Sequence, residues 1–492
     1  MKLIYDVEDK MSFGKMVVFA IQQLLAIMAA TLVVPMIIGN GMKSEAALFG
    51  AGVGTLVYIA FTKKKSPVFL GSSFAFLGSM AAAFAGGVSM AVGYLGLILG
   101  AIFAGLVYVV IAIIVKAVGV DWVNKLMPPV VIGPTVAIIG LSLAGNAIGD
   151  LKSGEVFVKE VVDGVALNTQ VINDIKAGVA MKEVAGGIEI TTQLASPLAT
   201  ILCGLVTLFV TILCSTYGKK TLKLIPFIIG ILAGYAVALV MTLIGNAADI
   251  DALKVMSFDS LTALFKTADG SFGITLKTFV SVPEFTFMTA LGGFSEITGA
   301  YIGTVAVAYV PVAFVVFAEH IADHKNISSI IERDLLKEPG LSRTLLGDGV
   351  GSMAGAFFGG CPNTTYGESV GCVAITRNAS IVTIITAACG AILISFLSPF
   401  VAFVNSIPSC VMGGVCMALY GFIAVSGLKM LQKVDLGQNK NLFTASVILI
   451  AGIGGLSVSF GKVTLTAVAC ALILGIIVNI MLSKAKDEET EE

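Results

Sequence analysis

The stretch CPNTTYGESVG, residues 361–371, breaks a helix and carries a carboxylate, yet long hydrophobic segments flank it on both sides. Pro362 removes a backbone donor and Gly367 loosens the backbone, so an unbroken helix is disfavoured here. Glu368 adds a charge. In lipid, each unpaired backbone N–H or C=O group costs several kcal/mol. Such a segment survives in a membrane only where protein covers it or where a cavity lets it bind a ligand.

The chain around this stretch has the composition of an integral membrane protein. Of its 492 residues, 57% are hydrophobic and only 12% are charged, and the net charge is −1. Apolar runs of about 20 residues recur, which is the length that crosses a bilayer as a helix. Because these runs are continuous rather than alternating, they favour an all-α polytopic protein over a β-barrel. The net charge gives no indication of nucleic-acid binding.

We expect about fourteen transmembrane segments. They lie at 14–38, 45–62, 66–86, 90–116, 127–149, 193–216, 223–247, 299–322, 342–360, 362–379, 381–404, 408–428, 442–458 and 463–483. With the N-terminus inside, 21 of the 30 basic residues fall on the inner side, as the positive-inside rule expects. Residues 1–13 show no cleavable signal peptide and are expected to be cytoplasmic, like the tail 484–492.

Two long connections, 150–192 and 248–298, fall outside on this map. We interpret both as extracellular insertions with some local structure, and a lid or a partner contact is the alternative.

A second broken segment resembles the first. Residues 66–76, SPVFLGSSFAF, also place a proline near the start and a Gly-x-Ser further on. Each broken segment follows two spans of its own half, and an odd number of spans per half makes the halves inverted, so a 7+7 inverted repeat is predicted. We expect two short strands, in spans 3 and 10, to cross at the centre, each followed by a half-helix whose N-terminus offers backbone N–H groups. Taken singly, each motif is also compatible with a packing kink.

Few ionisable residues lie inside the predicted spans. Glu319 and Glu368 are interpreted as functional, because intramembrane carboxylates usually mark a pathway, and a structural ion pair is the alternative. Asp323 lies four residues after Glu319, so both can face one cavity. His320 is predicted either to hydrogen-bond a neighbouring helix or to take part in coupling. His324, beside Lys325, is expected near the cytoplasmic interface.

No motif indicates catalysis, a metal or a cofactor. The two histidines alone do not provide a metal site. No P-loop, redox motif or nucleophile–base pair is present, which argues against an enzyme. The eight cysteines are scattered through apolar sequence without a CxxC pair, and we interpret them as small buried hydrophobic residues.

The motifs together resemble the nucleobase–cation symporter-2 family, also called nucleobase–ascorbate transporters, and are most similar to its bacterial uracil permease branch. The similarity extends over nearly the whole chain. It rests on CPNTTYGESVGCVAITR (361–377), LGSSFAF (70–76), AEHI (318–321), DLLKEPGLSRTLLGDG (334–349) and VMGGVCMALYG (411–421).

The resemblance implies a core domain and a gate domain that move against each other, often within a dimer. The core comprises 14–126 (spans 1–4) and 299–404 (spans 8–11). The gate comprises 127–247 (spans 5–7) and 405–483 (spans 12–14).

The resemblance also implies a substrate site. Its predicted members are Glu319, Glu368, the backbone N–H groups of Phe74 and Gly367, Ala30, Ser73 and Tyr366, with Tyr420 facing it from the gate. Glu319, Asp323 and His320 are the predicted proton-coupling residues. Gln23 stands where the family usually has histidine, and Asp323 stands where uracil permeases often have histidine.

The sequence therefore predicts a proton-coupled symporter that imports a neutral nucleobase, uracil before xanthine or another purine, across the cytoplasmic membrane. A co-transported proton is the only cofactor expected, and a homodimer is the expected assembly. The alternative from another class is an anion transporter of similar architecture.

Overall fold

The computed structural model describes residues 3–119, 121–162, 180–184, 187–219, 221–267, 271–432, 434–460 and 463–483. Part of the predicted loop 150–192 and the predicted tail 484–492 lie outside the described residues. The helices are α1 (Phe13–Ile38), α2 (Ser44–Phe61), α3 (Leu77–Ala83, preceded by the 3-10 turn Phe74–Phe76), α4 (Met90–Val118), α5 (Asp121–Leu126), α6 (Pro129–Ser142), α7 (Ala144–Leu151), α8 (Pro197–Tyr217), α9 (Thr221–Leu224), α10 (Pro226–Ala248), α11 (Asp259–Ala263), α12 (Leu276–Phe279), α13 (Thr286–Ala290), α14 (Gly299–Ile331), α15 (Leu341–Gly359), α16 (Gly367–Thr376), α17 (Ile381–Ile394), α18 (Ser398–Asn405), α19 (Ser409–Leu431), α20 (Asn439–Ile453) and α21 (Ala467–Met481).

The strands form three small antiparallel sheets. They are β1 (Leu70–Ser72), β2 (Phe157–Val162), β3 (Ala180–Val184), β4 (Gly187–Gln193), β5 (Asn363–Thr365), β6 (Val458–Phe460) and β7 (Val463–Leu465). Strand β1 pairs with β5, β4 lies between β2 and β3, and β6 pairs with β7. The β1–β5 pair joins segments that are about 290 residues apart in the sequence, and it is the pair that positions the site.

Most of the described chain is helical, and many helices are suited to a bilayer. Among the described residues, eight helices are long and apolar enough to cross a membrane, counting Pro129–Leu151 (α6 and α7 together) as one, and four apolar helical segments of 10–17 residues are shorter. The polytopic helical class is therefore confirmed, while the count of fourteen spans and the 7+7 repeat remain predictions. The predicted span 381–404 divides into α17 and α18, because Pro399 at the start of α18 begins a new helix. The predicted span 127–149 divides into α6 and α7.

The chain forms two compact units. The first consists of Met1–Leu143, Val280–Val401 and Leu419–Glu492, and the second of Ala144–Phe279 and Ala402–Ala418. The predicted core and gate are defined by how they move, which compactness does not address, so their boundaries remain predictions.

In the first unit, glycines let helices approach closely. A Cβ on Gly54 of α2 would lie 2.7 Å from the carbonyl oxygen of Gly351 on α15. A Cβ on Gly105 of α4 would lie 2.8 Å from the carbonyl oxygen of Gly349. Small residues at such crossings are typical of packing in membranes. Helix α15 is thereby held between α2 and α4, next to the paired strands. A separate apolar core joins α6, α14, α20 and α21 around residues such as Ile138, Val315 and Ile448.

In the second unit, α8 packs against α10. The Cβ that Gly234 lacks would lie 3.0 Å from the carbonyl oxygen of Cys203. Thr242 of α10 accepts hydrogen bonds from the backbone N–H groups of Val255 and Met256, at 3.1 Å each, and so anchors the segment that follows the helix.

The eight cysteines follow the prediction with two exceptions. Six are buried and none forms a disulfide, but Cys214 is half-buried and Cys389 is exposed on α17. A cysteine can face lipid as an apolar side chain, so hydrophobic sequence around it does not imply that it is packed inside the protein.

Candidate functional site

The two broken segments supply each other's missing backbone partners. Strands β1 and β5 pair in the register Leu70↔Thr365, Gly71↔Thr364 and Ser72↔Asn363. The pairing continues beyond the strands, since Ser73 N–H donates to the Pro362 carbonyl at 3.0 Å and Tyr366 N–H donates to the Phe69 carbonyl at 3.2 Å. The two short strands predicted from sequence are therefore present, and they cover the backbone groups that proline and glycine left free.

Each strand leads directly into a half-helix. The first begins with the turn at Phe74, and the second is α16, which begins at Gly367. Neither Ser73 nor Tyr366, the residues that precede these starts, caps its helix through its side chain. Helix N-termini of this kind present backbone N–H groups and a positive dipole end.

The space in front of the second half-helix is open. Gly367 is exposed, and the nearest atom to a Cβ built on it would be Oδ1 of Asp323, at 3.8 Å. The flanking residues Tyr366 and Ser369 are buried. The amide end of α16 is thus accessible although its surroundings are packed.

Three carboxylates face this region. Glu319 and Asp323 lie one turn apart on α14, and Glu368 is the second residue of α16. The three groups are close enough to interact electrostatically with one another. Asp323 is buried and its Oδ2 accepts a hydrogen bond from Thr365 Oγ at 2.8 Å, whereas Glu319 and Glu368 are only half-buried. The arrangement places two partly accessible acids near the N-terminal end of α16, where backbone N–H groups are unpaired within the helix.

Helix α1 is fixed to both broken segments through one serine. Gln23 Nε2 donates to Ser369 Oγ at 2.6 Å, and Phe69 N–H donates to the same oxygen at 3.0 Å. Ala30 is buried further along α1, which packs against β1 and α16. Gln23 therefore holds the half-helix from the position where the family usually has histidine.

Aromatic residues line the first half-helix. The Tyr366 ring packs against Gly71, where a Cβ would lie 2.9 Å from Cδ2, and its hydroxyl donates to the Ser72 carbonyl at 2.6 Å. Tyr420 meets Phe74 edge to face, with ring centroids 5.8 Å apart. Ser73 is buried and its hydroxyl has no partner among the described residues, so it can serve a ligand.

Both histidines lie in a buried polar network beside the carboxylates. His320 Nδ1 lies 2.6 Å from Asp348 Oδ2, and its Nε2 lies 3.0 Å from Thr344 Oγ. His324 Nδ1 lies 2.8 Å from the His320 carbonyl, and its Nε2 lies 2.7 Å from Tyr58 Oη. His320 thus contacts a neighbouring helix, one of its two predicted roles.

The side chain of His324 is fully buried inside the protein. Its expected position near the cytoplasmic interface stays a prediction, because burial by protein does not give depth in the membrane. Position 324 is one turn after His320, so it shares the inward face of α14, whereas Lys325 is exposed on the next face.

Asp348 and Thr344 were missed by sequence reasoning. Both lie within the quoted stretch 334–349, and Asp348 is an ionisable residue inside a predicted span. That property alone marks a candidate functional residue, so the signal was available.

Known proteins resemble this chain over nearly its full length. A model of the Permease family matches residues 14–173 and 169–461. A uracil permease of Bacillus caldolyticus is 36% identical over 485 residues, which cover 98% of this chain and 95% of the relative. The chain belongs to the Permease family. This is the nucleobase–cation symporter-2 family that the motifs resemble, so that prediction is confirmed. Its relatives are permeases, which makes the chain a multi-pass membrane transporter rather than an enzyme.

Further relatives show the same family over nearly full length. Uracil permeases of Bacillus subtilis and Escherichia coli are 35% and 33% identical, covering 96% and 93% of this chain and 94% and 89% of their own. Among solved structures, the transmembrane domain of the cyanobacterial bicarbonate transporter BicA aligns with 96% of this chain and 100% of its own, with a TM-score of 0.58 and 14% identity. The murine anion transporter Slc26a9, in its inward-facing state, aligns with 97% of this chain and 69% of its own, with a TM-score of 0.60 and 10% identity. At such identities the likeness concerns the fold alone.

Proposed function

We propose that this permease is a proton-coupled symporter that imports uracil across the cytoplasmic membrane. The observations that support the proposal are the pairing of the two broken segments, each of which leads into a half-helix, at Phe74 and at Gly367, and the position of Asp323 beside Gly367 with Glu319 and Glu368 in electrostatic reach. Relatives that are uracil permeases over nearly the full length of the chain support the choice of substrate.

The chemistry of uracil matches these groups. Uracil is planar and uncharged near neutral pH, with two N–H donors beside carbonyl acceptors. Glu319 and Glu368 accept from the N–H groups, and the amides at Phe74 and Gly367 donate to the carbonyls. Leaving one such buried polar group unpaired costs about 1–3 kcal/mol, which selects the matching base over analogues that lack a group.

Proton coupling supplies the driving force, because the membrane potential does not act on a neutral base. Each charge that crosses with the base gains about 2.3 kcal/mol per 100 mV. Glu319, Asp323 and His320 are the proposed coupling residues, since they adjoin one another on α14.

The experiment is uracil uptake into proteoliposomes under an imposed inward proton gradient. The expected result is accumulation that collapses when a protonophore is added. Uracil uptake that is independent of the proton gradient and depends on a sodium gradient would contradict proton coupling.

We further propose the family's architecture for this chain. Fourteen spans in a 7+7 inverted repeat form the core and the gate, alternating access moves one against the other, both termini are cytoplasmic, and the assembly is a homodimer. Xanthine or another purine is the alternative substrate within the family.

An anion transporter is the second candidate, because both similar solved structures are transporters of anions or bicarbonate. Two acids at the site disfavour it, since charged Glu319 and Glu368 repel an anion. The double variant Glu319→Gln with Glu368→Gln separates the two functions. Loss of uracil binding supports the nucleobase site, whereas intact uracil binding together with improved anion transport favours the alternative.

A further inference from the structure

A further buried carboxyl group, Asp348, contacts a histidine that adjoins the proposed substrate carboxylate Glu319 in the sequence. Asp348 on α15 and His320 on α14 are 0% and 1% exposed, and Thr344, one turn before Asp348, is 0% exposed. The three side chains are joined by the contacts of 2.6 Å and 3.0 Å from the two ring nitrogens of His320. The proposed substrate contacts do not use Asp348 or Thr344.

Two arrangements of hydrogen satisfy these distances. Thr344 Oγ lies 3.0 Å from the Leu341 carbonyl and 3.0 Å from His320 Nε2. When its single hydroxyl hydrogen points to the Leu341 carbonyl, which only accepts, Nε2 of His320 must carry a hydrogen and donate it to Thr344. When the hydroxyl hydrogen points to Nε2 instead, Nε2 carries no hydrogen.

A second hydrogen lies between His320 and Asp348. At 2.6 Å, Nδ1 and Oδ2 need a proton between them, because two lone pairs would repel at that distance. With a hydrogen also on Nε2, the pair holds two protons and has no net charge. The other oxygen of Asp348, Oδ1, is buried without a partner among the described residues. A full negative charge on a carboxylate with a buried unpaired oxygen is costly, which agrees with a pair that is neutral overall.

His324 is not equivalent to His320. Its Nδ1 must donate to the His320 carbonyl, so its Nε2 accepts from the Tyr58 hydroxyl, which in turn accepts from Ser66 Oγ at 2.7 Å. Its one acceptor nitrogen is therefore occupied. The two imidazole rings stack with centroids 4.0 Å apart, which disfavours a positive charge on both.

We propose that Asp348, His320 and Thr344 form a proton-binding site that is separate from the substrate carboxylates and binds one exchangeable proton. When that proton leaves, His320 keeps a hydrogen only on Nδ1, which donates to the Asp348 carboxylate. The Thr344 hydroxyl then turns from the Leu341 carbonyl to donate to Nε2. Thr344 thus stabilises both states by rotating one bond.

The proton-binding site lies close enough to the carboxylates of α14 to interact with them electrostatically. Asp348 interacts electrostatically with Glu319 and Asp323 on α14. From the other neighbouring helices, Tyr58 of α2 and Tyr108 of α4 face it. A proton held at Asp348 and His320 therefore alters the repulsion that Glu319 and Asp323 experience. This coupling role rests on the proposed symport, whereas the existence of the proton-binding site does not.

The direct test is nitrogen NMR of the substrate-free protein labelled with ¹⁵N-histidine. The chain has only two histidines, so a histidine-free purification tag leaves two imidazoles, and a His324 substitution assigns them. Across about pH 5 to 8, where histidine ordinarily titrates, Nε2 of His320 is expected to lose its hydrogen as Nδ1 keeps one. A His320 signal that stays in the single Nδ1–H form throughout would overturn the proposal.

Variants supply the second test. Asp348→Asn removes the acid and should make the His320 signals independent of pH, and Asp348→Glu should restore the titration. Thr344→Ser should behave like the wild type and Thr344→Val should not, because only serine keeps the rotating hydroxyl. If Thr344→Ser and Thr344→Val give the same titration, threonine only packs there and the proposed switch is wrong.

Transport assays separate a failure of the proposed proton-binding site from a failure of the proposed uracil transport. Asp348→Asn is expected to retain uracil binding and uracil exchange but to lose accumulation under a proton gradient, with Ser352→Ala, one turn away on α15, as the matched control. Proton-driven accumulation by Asp348→Asn equal to the wild type would refute the coupling role. A wild type that binds no uracil would refute the proposed function and leave the NMR result on the proton site intact.

Discussion

The Ser369 hydroxyl accepts a hydrogen bond from a backbone N–H group of the first broken segment that has no helical partner. Its hydroxyl oxygen accepts from the Phe69 N–H group, 300 residues earlier in the chain, and from Gln23. Glu368 was predictable from sequence because a charge is conspicuous inside an apolar segment. Ser369 was not, because a small polar residue beside it says nothing about a partner 300 positions away.

Replacing Ser369 by alanine should lower stability by about 1–3 kcal/mol, because the buried Phe69 N–H group loses its acceptor. Thermal unfolding of the purified variant in detergent measures the effect. Ser79→Ala is the matched control, since Ser79 is equally buried but only donates to the Ala308 carbonyl at 2.7 Å. Equal losses in the two variants would show that Ser369 has no special role in satisfying the backbone.

Single substitutions of the two acids should each weaken uracil binding. Glu319→Gln or Glu368→Gln leaves a uracil N–H group poorly paired, which costs about 1–3 kcal/mol, or about 5- to 150-fold in affinity. Calorimetric titration of the purified variants measures it. Glu284→Gln serves as the control, because that side chain is 75% exposed. If both site variants bind uracil as tightly as the wild type, Glu319 and Glu368 do not contact the substrate.

Among the elements, the two broken segments were the most predictable. Proline followed by Gly-x-Ser in both segments predicted strands and half-helices, and the structure has both. The hairpin of β6 and β7 was missed, because 442–458 and 463–483 were taken as helices to their ends. The alternation in Ser457-Val458-Ser459-Phe460 indicates a strand, so this signal was present in the sequence.

The crossing of α2 and α15 should depend on glycine. Gly54→Ala places a Cβ 2.7 Å from the Gly351 carbonyl oxygen, so the helices must separate and the strand pair beside them loses support. We expect a loss of about 1–3 kcal/mol, as for overpacking in general, and a lower unfolding temperature. Gly303→Ala is the control.

A Cβ on Gly303 of α14 meets no atom within 4 Å. Its effect should be neutral or stabilising by up to about 1 kcal/mol, since alanine favours a helix more than glycine does. If Gly54→Ala is equally harmless, close backbone approach does not define this crossing.

At the scale of the whole molecule, the N-terminal segment is hydrogen-bonded to the connection between α16 and α17. Ile4 and Tyr5 donate to the Arg377 carbonyl just after α16, and Ile381 N–H donates to the Val7 carbonyl at 3.0 Å. Arg333, after α14, pairs with Asp6 at 2.6 Å. The sequence predicted only a cytoplasmic lead-in here, because short polar segments carry no periodicity that reveals what they contact.

Burial rather than charge should hold this segment. Val7 is 0% exposed, so Val7→Ser should cost about 1.5–3 kcal/mol. Arg333 is 42% exposed, so Arg333→Ala should cost no more than about 1 kcal/mol. Limited proteolysis of the N-terminus and thermal unfolding measure both. A larger loss in Arg333→Ala would mean that the ion pair fixes the segment.

The class of the molecule and its family followed from composition and motifs, because each hydrophobic run and each motif is local in sequence. The polar network of α14 and α15 and the pairing of glycines between helices did not follow. Both depend on which helix faces pack together, and an apolar span has no polar face in its sequence that would show which side packs against a neighbour.

The most direct measurement is calorimetric titration of the purified protein with uracil, 1-methyluracil, 3-methyluracil and 1,3-dimethyluracil. If Glu319 and Glu368 accept from the two ring N–H groups, each single methylation should weaken binding by about 5- to 150-fold, and the dimethyl compound should not bind measurably. Binding of 1,3-dimethyluracil as tight as that of uracil would contradict the claim that these acids recognise the base.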